Sequence, residues 1–182
     1  MKRIISLLAS LFLLGALGIF APVAAQAAPY CGITWGSLAK TRSGFAYDSH
    51  LTNLRAGQHT CYDRLVIDLD GDVTGYSIRY VTAVHAPGSG TAVPLAGAAD
   101  LQIIVHAPAY DDGGNATYSP ANPTKAVAVD GYRTFRQVAL AGSFEGETTL
   151  GLGVRARLPM RAFVLDGPGV GSRIVVDVAH QW

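Results

Sequence analysis

Cysteine is scarce in this chain, and helical periodicity is scarcer. Two cysteines, Cys31 and Cys61, are too few for a cysteine-built metal site or a multi-bridge scaffold. No helix-length window repeats apolar residues with a period of 3.6, which speaks against a helical architecture. A surplus of one charge is also missing, since 14 Lys and Arg stand against 13 Asp and Glu. That balance gives no electrostatic footprint for nucleic acid or for an anionic membrane. Five histidines (His50, His59, His85, His106 and His180) form no pair at metal-ligand spacing. Catalytic signatures are lacking too. There is no Gly-x-Ser-x-Gly elbow, and Ser37-Leu38-Ala39-Lys40 stands without the Ser-Asp-Asn and Lys-Thr-Gly partners that a Ser-x-x-Lys enzyme needs. Asp68 to Asp72 and Asp111 to Asn115 place acids near glycine without the twelve-residue calcium-loop spacing, and both read as turns. No enzymatic activity, metal or cofactor is expected.

What is present begins with an apolar leader. Lys2 and Arg3 precede an apolar run from Ile4 to Phe20, and Ala25-Gln26-Ala27 fits the small-x-small cleavage rule. Residues 1–27 are expected to be a secretory signal peptide, with a domain over 28–182 outside the cytoplasm. The run approaches the length of a marginal membrane span. Pro22 and the alanines around it favour cleavage, and no second apolar stretch is long enough to cross a bilayer. Removing the leader takes away two basic residues and no acid, which leaves 12 basic against 13 acidic groups. A domain of this size buries a real core. In an oxidising compartment, Cys31 and Cys61 are expected to form one disulfide, closing a loop of roughly 30 residues and contributing about 3–4 kcal/mol.

The 21 glycines and nine prolines punctuate a series of short strands. Candidates are Ile33–Trp35, Tyr62–Leu69, Gly75–His85, Leu101–His106, Lys125–Val129, Tyr132–Ala141, Thr148–Arg157, Arg161–Leu165 and Arg173–Val178. Strands at such regular spacing predict an all-β, single-domain antiparallel β-sandwich. Asp70-Gly71 reads as a hairpin turn between two strands. Gly36–Asn53 is too polar to assign and reads as a long connection.

Two segments echo each other. Asp63-Arg64-Leu65-Val66-Ile67-Asp68-Leu69 matches Ser172-Arg173-Ile174-Val175-Val176-Asp177-Val178. Alternate residues of a strand share a face, so Leu65, Ile67 and Leu69 turn to the core. Arg64 and Asp68 then lie together on the opposite face, as do Arg173 and Asp177. These residues either pair on a solvated face or mark two related half-sheets, each with a polar strip. A third candidate surface lies along Thr148 to Arg157. Leu150, Leu152, Val154 and Ala156 alternate inward, leaving Gly151, Gly153, Arg155 and Arg157 outside. Two glycines leave the backbone bare for a flat ligand, and arginines bind carboxylates through paired hydrogen bonds. The same pattern also arises from a bulge or from close strand contact at the glycines.

Arg64 to Asp68, the following Tyr76-Ser77-Ile78-Arg79-Tyr80 and the closing Arg173 to Asp177 resemble the AMIN and AMIN-like domains of bacterial envelope proteins. The AMIN-like variant is the nearer, through Trp35-Gly36-Ser37-Leu38, Gly142-Ser143-Phe144-Glu145-Gly146 and Val176 to His180. The resemblance covers about residues 31–182. It implies a secreted, cell-wall-associated β-sandwich that binds in the envelope without catalysis, with peptidoglycan or another cell-wall glycan or peptide as ligand. The competing expectation is a structural module that docks an envelope protein at a sheet edge.

Overall fold

Tyr62–Leu69 alternates without a fault, and the chain forms a strand over those same residues. In the computed structural model, which describes residues 29–45, 48–72 and 75–182, Leu65, Ile67 and Leu69 are buried while Arg64, Val66 and Asp68 face away. The leader lies outside the described residues. Among the described residues eleven strands follow in order: β1 Lys40–Arg42, β2 Leu51–Gln58, β3 Tyr62–Leu69, β4 Tyr76–Val81, β5 Val84–His85, β6 Ala92–Val93, β7 Ala99–Val105, β8 Phe135–Phe144, β9 Glu147–Val154, β10 Met160–Asp166 and β11 Ser172–Ala179. No α-helix occurs among the described residues.

The strands make two antiparallel sheets and a ribbon. One sheet has the order β10-β11-β3-β2, the other β1-β4-β7-β9-β8, and β5 pairs with β6. Leu65, Ile67, Ile174, Val176 and Val178 from the first sheet meet Ile78, Leu101, Ile103, Leu150 and Leu152 from the second in one core. The β-sandwich is therefore as expected, and so is the bond between Cys31 and Cys61. It pins residues 30–36 to the end of β3. Met160 N–H donates to the Gly36 carbonyl at 2.9 Å, so this segment also caps the free side of β10.

Several local expectations fail for physical reasons. Ile33–Trp35 is not a strand, and only the single bridge Gly36 to Met160 forms there. Lys125–Val129 is replaced by a 3-10 turn at Pro123–Lys125, with Pro123 in the first turn and Asn122 accepting from Thr124 N–H at 3.0 Å. Asp70-Gly71 does not close a hairpin. Both sides of β3 are filled by β11 and β2, so the chain crosses to the other sheet, and Asp70 instead accepts from the His50 backbone N–H at 2.6 Å. Gly36–Asn53 is not a plain connection, since it holds β1 and the start of β2. A register shift between Leu51 and Asn53 buries both Leu51 and Leu54, which breaks the period-2 pattern. The two-residue turn Glu145-Gly146 does join β8 to β9, with φ of 51° and 81°, as the hairpins with two left-handed residues require.

Candidate functional site

The echoed segments are neighbours in one sheet, not halves of two. β3 and β11 run antiparallel with Arg64 opposite Asp177 and Asp68 opposite Arg173. An Arg-to-Asp spacing of four residues, read in opposite directions, sets each arginine across from an acid. β10 adds Arg161 beside Asp177, Phe163 beside Val175 and Leu165 beside Arg173. β2 adds Arg55 beside Val66. The outer face therefore carries three rows, centred on Asp177 and Arg64, on Val175 and Val66, and on Arg173 and Asp68.

Asp177 anchors the first row. Its side chain is 0% exposed, a costly place for a carboxylate unless charges and hydrogen bonds satisfy it. Arg64 does so bidentately, Nε to Oδ1 at 2.7 Å and Nη2 to Oδ2 at 2.9 Å, and Arg161 Nε reaches Oδ2 at 2.7 Å. The hydrogen bond to Asp177 holds the Arg64 guanidinium above its usual range, against the opposing effect of burial. Aromatic rings back both cations. The Arg161 guanidinium carbon lies 5.5, 5.3 and 5.1 Å from the ring centres of Trp35, Tyr62 and Phe163, and that of Arg64 lies 5.2 Å from Tyr62. Such contacts contribute about 0.5–2 kcal/mol each. The disulfide-held N-terminal segment supplies Trp35, whose Nε1 donates to the Tyr30 carbonyl at 2.9 Å.

In the third row Asp68 does not pair along its own strand with Arg64. Arg55 takes both its oxygens, Nε at 2.7 Å and Nη2 at 2.6 Å, and these bonds raise the Arg55 pKa. Arg173 is thus left without a carboxylate partner among the described residues. Its Nη2 donates to the Asp166 carbonyl at 3.0 Å, while its Nε is shielded and unpartnered. The face as a whole holds Arg55, Arg64, Arg161 and Arg173 against Asp68 and Asp177. It is cationic by two charges on a domain that is nearly neutral overall.

The glycine strip on the other sheet is not bare. β9 ends at Val154, and both Gly151 and Gly153 are buried beneath the chain's own 95–96 segment. A Cβ at Gly151 would meet Leu95 Cδ1 at 3.0 Å, and one at Gly153 would strike the Ala96 carbonyl. The glycines are small because a loop packs on them. Arg155 and Arg157 lie past the strand. Arg155 donates to the His180 carbonyl, and the Arg157 guanidinium carbon stands 4.9 Å from the Tyr80 ring centre.

A buried Asp63–His180 pair also exists, with Nε2 to Oδ1 at 3.0 Å. It is a strut between β3, β8 and the chain beyond β11. Asp63 Oδ2 accepts the Thr134 and Phe135 N–H groups at 2.6 and 3.0 Å, and His180 Nδ1 faces the Thr60 carbonyl at 3.2 Å. Neither ring nitrogen is left to serve a nucleophile. Lys40 lies in β1, so Ser37 and Lys40 are not one helical turn apart.

The sequence marked Arg64, Asp68, Arg173 and Asp177, and the structure brings all four onto one face. It did not mark Arg55, Arg161, Tyr62, Phe163 or Trp35. The available signal was the alternation Arg161-x-Phe163-x-Leu165. In the comparisons, a family model described as the AMIN-like domain matches residues 49–180. No match was found among curated proteins or among solved structures.

Proposed function

Because the chain belongs to the AMIN-like domain family, matched over residues 49–180, we propose that it is a non-catalytic binding module of the cell envelope whose ligand is peptidoglycan. The outer face of β10, β11, β3 and β2 is the binding surface. The observation that carries this reading is the aromatic-backed arginine layer over β11, which presents two more positive than negative charges. Peptidoglycan offers carboxylates for the guanidinium forks and sugar faces for the rings. The Cys31–Cys61 bond fits work outside the cytoplasm, where disulfides persist.

Co-sedimentation with purified, insoluble peptidoglycan tests the proposal. The wild-type protein pellets with the polymer and releases no soluble fragments. Arg173→Ala with Arg55→Ala lowers retention several-fold, while Arg155→Ala with Arg157→Ala leaves it within two-fold. A wild-type protein that stays in the supernatant at low salt overturns the reading. Released fragments overturn its non-catalytic part. A second reading, docking of an envelope protein, has one observation in its favour. Among the described residues β10 is an edge strand whose second side is bridged only at Met160, and an open edge accepts an added strand.

A further inference from the structure

The face carries more than a charge surplus. Two depressions on it join. The first, about 270 Å³, is lined by Val66 and the exposed Leu165 over the buried Val175, with Arg64, Arg55 and Arg173 around them. The second, about 570 Å³, starts from the same Arg55 and Arg173 and runs to the Gly167–Ser172 turn. Beyond it lies a third of about 540 Å³, which shares that turn and is edged by Asp48, Asp70, Asp72 and Asp166. From the Asp177 row to Gly171 is six residues of β11 and its turn, or about 20 Å at ~3.3 Å per residue. The groove is basic and apolar at one end and acidic at the other.

Arg173 stands at the junction of the first two depressions. Its register partner Asp68 is spent on Arg55, and among the described residues its one hydrogen bond runs from Nη2 to a backbone carbonyl; Nε is shielded from solvent, whereas Nη1 is neither shielded nor bonded. A guanidinium with unused donors beside an apolar floor is complementary to a carboxylate attached to a small apolar group. The planar fork of arginine binds carboxylate and phosphate alike. The rest of the groove separates the two. A polyphosphate chain running along it passes the acidic rim and is repelled there, whereas a short peptide whose last residues lack acidic side chains carries its negative charge only at its end.

Resting on the peptidoglycan reading above, we propose that the basic end of this groove is a subsite for the terminal carboxylate of a short peptide. Arg173 is its principal donor, Arg64 its second, and Val66 and Leu165 receive the small side chain of the last residue. The neighbouring residues of the peptide then extend toward the Gly167–Ser172 turn.

Acetyl-dialanine, its C-terminal amide and inorganic phosphate, each titrated into the folded disulfide-bonded domain and followed by amide NMR shifts, test this directly. The acid binds, the amide binds at least ten-fold more weakly, and phosphate binds at least ten-fold more weakly. Arg173→Ala weakens the acid at least ten-fold, and Arg173→Lys, which keeps the charge but not the fork, gives an intermediate loss. Unchanged one-dimensional spectra show that both variants remain folded. Equal binding of acid and amide overturns the proposal. Phosphate binding as tight as the acid overturns it in favour of a phosphate-bearing polymer. A protein that pellets with peptidoglycan yet ignores the acid loses this subsite and keeps its function. One that does neither loses both.

Discussion

Asp177→Asn is the most informative single change to the fold. It keeps the shape of a fully buried side chain and removes its charge, leaving Arg64 and Arg161 facing a neutral amide. Three charge-assisted bonds, at 2.7, 2.9 and 2.7 Å, are weakened together. At roughly 1.5–3 kcal/mol each, their gross sum reaches about 4.5–9 kcal/mol. The arginines are not trapped, because their side chains are 22% and 30% exposed and recover some hydration. The expected net loss is therefore about 3–5 kcal/mol, the range for breaking a buried pair from one side. In a domain of this size that lowers Tm by about 6–20 °C. Urea unfolding followed by circular dichroism measures it, with an unchanged m-value as the check that the unfolded state is the same. The combined variant Arg64→Met, Arg161→Met, Asp177→Leu provides the control. Replacing the whole cluster by apolar groups is close to neutral in such systems, so it stays within about 2 kcal/mol of wild type. An Asp177→Asn loss below about 1 kcal/mol refutes the clamp.

Three further outcomes follow from the packing. Cys31→Ser with Cys61→Ser costs about 3–4 kcal/mol by release of a cross-link spanning 30 residues, read as a lower urea midpoint, and quenches the burial-sensitive fluorescence of Trp35. Gly153→Ala costs about 1–3 kcal/mol, more than Gly151→Ala, because it strikes the Ala96 carbonyl whereas the latter meets the movable end of Leu95; equal midpoints for the two contradict the packing. Burial pushes the Tyr80 hydroxyl up to about 12 against the weaker lowering effects of Leu158 and Arg157. Because this folded value lies above the unfolded one, its stabilising contribution is complete below about pH 10 and is lost as pH rises toward 12. After allowance for solvent that loss is on the order of 1–2 kcal/mol. Tyr80→Phe, less stable than wild type at neutral pH through loss of its Leu158 contacts at 2.7 and 3.1 Å, shows a flatter decline over that window.

β3 and β11 were legible because each is a short β-branched and apolar run set between an Arg and an Asp, with Leu65 and Ile67, or Ile174 and Val176, on the core side. Their echo was legible too, but its meaning was not. Only the antiparallel register turns an Arg-to-Asp spacing within a strand into Arg-to-Asp contacts between strands. β2 was hidden by its bulge, which buries Leu51 and Leu54 three residues apart and mimics no simple period. The glycines of β9 fit either a bare strip or a close contact, because sequence shows a missing side chain and not the remote Leu95–Ala96 segment that fills the space. Arg161 and Phe163 were seen as strand residues, but their convergence with Trp35 and Tyr62 depends on the disulfide and on β10 lying beside β11. The chemistry of the face was thus readable one strand at a time, and its clustering only in three dimensions.

The central claim is that the outer face of the four-stranded sheet holds the ligand. Amide NMR mapping with soluble peptidoglycan fragments reads that face residue by residue. The account predicts that shifts cluster at Arg55, Arg64, Val66, Arg161, Phe163, Arg173 and Val175, on four strands that meet only in the fold. Shifts centred on β4, β7 and β9, or none at saturating fragment, contradict it.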